Sequence, residues 1–181
     1  MDIVQRLIEE IEQAREVFLA SIRTLSPEFS IFKPEPEIWS VLEITEHIAR
    51  AEQSGVMGMW KALDGFRKNE PVWIGEMIHQ GLSIEEVVKK TWQAKEKVPE
   101  IAAPRWGGSL DYWIATLRSQ KYVLLDLGQA LTGINLEEVI YPHPISVPLN
   151  LRQRLEFLRF HLDRHRDQIE RLKLEMNPTQ N

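Results

Sequence analysis

The stretch from Asn150 to Met176 constrains this chain more than any other, because its apolar and polar residues separate cleanly at helical period. At about 100° per residue it sets Phe157, Leu158, His161, His165, Gln168 and Leu172 on one face. Arg159, Asp163, Arg166, Asp167, Glu170 and Lys173 fall on the opposite, solvated side. A helix of this kind must bury one stripe against other elements. Two histidines at i and i+4 on that stripe stand one turn apart, roughly 6 Å along the axis, so that both rings can reach one metal ion.

Three further long segments share the period. Between residues 2 and 25, Val4, Leu7, Ile8, Ile11, Phe18, Ile22 and Leu25 form a stripe, with Arg15 near its edge as a snorkelling stem or an anion holder. Ser40-Val41-Leu42-Glu43 is a capping box that opens a second helix, with Ile44, His47, Ile48 and Ala51 inward. Along the His47 direction, Ala51, Ser54, Gly58 and Ala62 form a small-residue stripe, which suits either close packing or a pocket beside the histidine. Glu43 and Glu46 read as capping and solvent-facing groups. Ser109 caps the third long helix, with Leu110, Trp113, Ile114, Leu117, Leu124 and Leu125 inward and Lys121 snorkelling beside them.

The connections differ in character. Pro27, Pro34 and Pro36 predict an extended crossing over residues 26 to 39. Residues 65 to 82 read as an irregular connection in which His79 is exposed or capping, and Ser83-Ile84-Glu85-Glu86 starts a shorter helix. Residues 134 to 149 are irregular, with His143 structural between two prolines. The six tryptophans, at 39, 60, 73, 92, 106 and 113, read as core and edge packing. With no alternating strand and no internal repeat, the chain reads as an all-α helical bundle in one domain spanning 1–181.

Composition narrows the chemistry. The absence of cysteine excludes disulfides, thiolate ligands and a cysteine nucleophile. A net charge of -5 with intermixed signs argues against nucleic acid. The N-terminus has no basic flank or apolar core, and no apolar run reaches membrane length, so a cytoplasmic protein without membrane contact is expected. The inward histidines, His47, His161 and His165, fit a zinc or nickel site with an open position, although buried histidines are more often hydrogen-bonded core residues. Gln168 follows His165 by about a turn and either orients a ligand, bonds a histidine or adds core polarity.

Trp39-Ser40-Val41-Leu42-Glu43-Ile44-Thr45-Glu46-His47-Ile48, followed much later by His161-Leu162-Asp163-Arg164-His165-Arg166-Asp167-Gln168-Ile169, resembles the paired signature of the DinB/YfiT-like superfamily. Tyr141-Pro142-His143-Pro144 before the last helix is similar too, whereas residues 65 to 108 form a less typical insertion. The resemblance implies a four-helix up-down-down-up bundle, with a short extra helix and an irregular insertion between the second and third long helices. It also implies a divalent metal on His47, His161 and His165, and a homodimer. Relatives in that superfamily include thiol-dependent S-transferases and a maleylpyruvate isomerase. The expected activity is therefore the transfer of a metal-activated low-molecular-weight thiol to an electrophilic small-molecule substrate. A metal-dependent hydrolase and a non-enzymatic, stress-associated metal- or ligand-binding protein are the alternatives.

Overall fold

The computed structural model describes residues 2–92, 98 and 100–176. Among these residues there are six α-helices and no β-strand. Each long apolar stripe becomes a helix, and most helix starts are fixed by a side chain that takes up the free amides of the first turn.

Helix α1 (Ile3–Ile22) buries Val4, Leu7, Ile8, Ile11, Phe18 and Ile22, and stops short of the half-buried Leu25. The proline-rich crossing holds a single turn of helix, α2 (Pro27–Ser30), where an extended chain was expected. Pro27 sits at its first position, where the missing N–H costs nothing, and Ser26 accepts the Phe29 amide. Helix α3 (Val41–Arg67) opens on the Ser40–Glu43 capping box. It runs two residues past Gly65, into the expected connection. Helix α4 (Ile84–Thr91) opens on a second box, Ser83 with Glu86.

Helix α5 (Leu110–Ala130) is capped by Ser109 and buries Trp113, Ile114, Leu117 and Leu124. Leu125 and Lys121 instead lie exposed, because the inward side of this helix passes through Gln120, Leu124 and Leu127. Helix α6 (Leu151–Met176) starts with a reciprocal pair: Asn150 Oδ1 accepts the Gln153 amide at 2.9 Å, and Gln153 Oε1 accepts the Asn150 amide at 3.2 Å. The loop before it is pinched by two isolated bridges, Ile140 to Asn150 and His143 to Val147.

Each of α1 and α3 packs on both α5 and α6, so the four long helices close around one core. Helix α4 lies against α6, where Ile84 and Val87 meet Leu149 and Phe157 in a smaller apolar cluster. Five tryptophans pack as expected, but Trp106 is 71% exposed. His79 is buried, with Nε2 donating to the Ser146 carbonyl at 3.0 Å, and so is neither exposed nor a cap.

Arg15 does not snorkel. Its guanidinium is buried in the core and pairs with Glu12 on its own helix and Glu52 on α3, so a charged contact joins α1 to α3. Burial raises the Glu52 carboxyl above the ordinary range, although Arg15 pulls it back.

Candidate metal centre

Helices α3 and α6 bring His47, His161 and His165 together, and all three are buried. His161 Nε2 lies 3.1 Å from His47 Nε2 and 3.1 Å from His165 Nε2. One turn of α6 separates His161 from His165, and the adjacent position of His47 on α3 completes a triangle of ring nitrogens.

The outer nitrogens fix which way the rings present themselves. His47 Nδ1 donates to the Ala102 carbonyl at 2.7 Å, and His165 Nδ1 donates to Gln168 Oε1 at 2.9 Å. With the proton on Nδ1, each ring turns an Nε2 lone pair toward His161. Trp39 packs on the His47 ring at 5.1 Å between centroids, and Phe157 stacks on His161 at 5.1 Å. Burial keeps the rings uncharged: it lowers His47, pushes His161 well below its ordinary value and brings His165 down to about 3. For His161 and His165 the neighbouring histidines push the same way.

Such a set suits a cation. With those two protons on Nδ1, only one hydrogen, on His161 Nε2, remains for the two short contacts, so converging lone pairs are left in a buried place. Around a tetrahedral zinc with Zn–N bonds of about 2.05 Å, neighbouring nitrogens stand about 3.3 Å apart. The observed 3.1 Å separations are close to that spacing. The three buried histidines could therefore hold a divalent metal ion.

The sequence reading missed the residue that organises this end of α3. Glu46 is buried, not solvated. Its Oε1 accepts the amides of Arg105 at 2.7 Å and Trp106 at 2.9 Å, while Oε2 accepts that of Gly107 at 2.9 Å. Arg50, one turn on, donates to the Ala103 carbonyl at 2.7 Å. The loop that supplies the Ala102 carbonyl to His47 is thus held to the same helix. The positive φ of Gly107 and Gly108, 62° and 92°, lets it turn back there. The glycine pair marked a loop, but nothing in the sequence tied its amides to a carboxylate so far away.

A cavity of about 730 Å³ opens beside the triad. Trp39, Trp92, Ile145, Leu158 and Leu172 give it an apolar wall. The small-residue stripe divides: Ala51 and Ser54 line the cavity, whereas a Cβ on Gly58 would lie 1.9 Å from Cζ of Tyr141, whose ring fills that space. The pocket expected beside His47 is thus present, whereas the space at Gly58 is taken by a tyrosine ring from the 134–149 connection and not by the backbone of another helix. His143 also lines the cavity, and its Nδ1 accepts the amides of Ile145 and Ser146, each at 3.2 Å.

Among known protein families, the DinB superfamily matches residues 10–169. No curated protein matches the chain.

Proposed function

The chain belongs to the DinB superfamily, and from that membership together with the converging nitrogens of its histidines we propose a divalent-metal-dependent S-transferase, which joins a low-molecular-weight thiol to an electrophilic small molecule. One observation carries the reading: the Nε2 atoms of His47, His161 and His165 meet at the edge of a roomy, mostly apolar cavity. In this reading the three rings hold zinc or nickel. The Ala102 carbonyl and Gln168 fix the orientation of two of them.

When bound, the ion supplies the Lewis acidity that makes a thiol a thiolate at neutral pH. The chain has no cysteine of its own, so the sulfur nucleophile comes with the cosubstrate. Trp39, Leu158 and Leu172 exclude water and seat the acceptor.

A hydrolase fits less well. Glu46 and Glu52 are buried, but they are committed to the 105–107 amides and to Arg15. The carboxylates of the described cavity lining, Glu37 and Glu175, are exposed. No helix among the described residues is long and apolar enough to cross a membrane. A reducing cytoplasm, which keeps small thiols available, is the setting this proposal requires, and self-association as a homodimer belongs to it.

The test starts with elemental analysis of untagged protein beside His47→Ala and His161→Ala. About one equivalent of zinc or nickel, lost in both variants, is expected for a site of this kind. The metal-loaded protein is then given a panel of cellular thiols with a chlorodinitrobenzene-type acceptor. Turnover above the His161→Ala background supports the transferase. Metal without turnover on any thiol would leave a binding protein.

A further inference from the structure

Arg154 is an ionic group with no ionic partner among the described residues. It lies on α6, is 5% exposed, and lines the same cavity as the triad. Its Nε and Nη1 have no hydrogen-bond partner among the described residues. Its contacts are aromatic: the guanidinium carbon sits 4.8 Å from the Tyr141 ring centroid and 5.9 Å from that of Phe157. Burial brings its pKa down to about 10. Stacking on rings offsets only part of the cost of taking a guanidinium out of water, and the N–H groups of Nε and Nη1 stay unused among the described residues.

The position is informative as well. Arg154 precedes His161 by seven residues, which turns it only about 20° around the helix and sets it about 10 Å along the axis. Arg154, Leu158, His161 and His165 therefore form one line down the cavity wall. The other arginines at the cavity, Arg164 and Arg171, are exposed. Arg154 is the buried cation among the described lining residues.

We propose that Arg154 is the anchor for a carboxylate on the molecule this cavity binds, so that the ligand is an elongated acid lying along α6 with its metal-seeking end at the histidines. The unpartnered Nη1 together with Nη2 forms the end-on edge of the guanidinium, whose two parallel N–H groups match the two oxygens of a carboxylate, and the Tyr141 and Phe157 rings hold it flat for that contact. The middle of such a ligand passes Phe157 and Leu158, so it is apolar there. The inference deepens the function proposed above, and rests on it only at the metal end.

The probes are 6-mercaptohexanoate, its neutral counterpart 6-mercaptohexanol, and hexanoate. They are titrated calorimetrically into cobalt-substituted wild type, Arg154→Met and Arg154→Lys, with the cobalt absorption spectrum followed in parallel. Methionine keeps the apolar bulk of the stem if the fold tolerates it, and lysine keeps the charge without the fork. Folding of each variant is checked by its melting transition. In wild type the mercapto acid should bind roughly ten-fold or more tightly than the mercapto alcohol. That gap should shrink in Arg154→Lys and vanish in Arg154→Met.

Equal affinity for acid and alcohol in wild type, or a gap that survives in a folded Arg154→Met, overturns the anchor. If the thiols leave the cobalt spectrum unchanged while the acids still bind in an Arg154-dependent way, the anchor stands and the thiol reading falls. No heat from either acid in wild type at millimolar concentration also overturns it.

Discussion

At the scale of single residues, Glu46 shows how a carboxylate can serve a site without touching it. Its oxygens take the amides of Arg105, Trp106 and Gly107, and the same loop presents Ala102 to His47. Glu46→Gln leaves one acceptor where there were two and sets an NH₂ against an amide. A loss of about 1–3 kcal/mol in urea-unfolding stability is expected, together with metal affinity weakened by about ten-fold or more as His47 loses its brace. The buried histidines give a second expectation. His47, His143, His161 and His165 are all lowered, His143 and His165 to about 3. The unfolded chain binds protons near pH 6.5 while the fold refuses them, so acid favours unfolding. The histidines' contribution to the metal-free protein should therefore be complete above pH 6.5 and be lost progressively from there toward pH 3, read for His143 as the part of the fall in urea midpoint that disappears in His143→Gln. The placement of the histidines on inward faces was legible, because helical period alone decides it. Glu46 was not, because its partners are backbone amides that leave no trace in residue type. Arg15 was visible as an oddity on an apolar stripe, but Glu52, its partner on α3, lay outside any local pattern.

At the scale of elements, the helix starts were the most legible feature, since Ser40 with Glu43 and Ser83 with Glu86 are local codes that the structure uses as written. Helix α2 was hidden because prolines break a helix interior yet suit its first turn, and composition does not say which applies. Leu125 lies outward, against the stripe that runs through Leu110, Trp113, Ile114, Leu117 and Leu124, because an apolar pattern passes over Gln120, which is buried in its stead. The stripe on α3 carries an expectation of its own. Gly58→Ala places a methyl 1.9 Å from Tyr141 Cζ, and the ring stacked under Arg154 must move. The cost expected in urea unfolding is about 1–3 kcal/mol. If the variant is as stable as the parent, the ring does not occupy that space.

At the scale of the whole molecule, the class of fold followed from four long amphipathic segments, whereas the joins between them did not. The contact of Arg15 with Glu12 and Glu52 ties α1 to α3 through the core. Arg15→Met strands Glu52 without its cation, and a loss of about 3–5 kcal/mol is expected. The double variant Arg15→Met, Glu52→Met should recover most of that, and the two unfolding curves compared with the parent check it. Much of the 102–107 loop meets α3 through its main chain: Ala102 gives a carbonyl, and Arg105, Trp106 and Gly107 give amides. The brace on His47 thus reads where this loop lies and hardly at all what letters it carries, glycines 107 and 108 excepted. Ala102 meanwhile forms part of the cavity wall. A change of side chain at position 102 can therefore reshape the cavity wall while the main-chain carbonyl that orients His47 stays where it is.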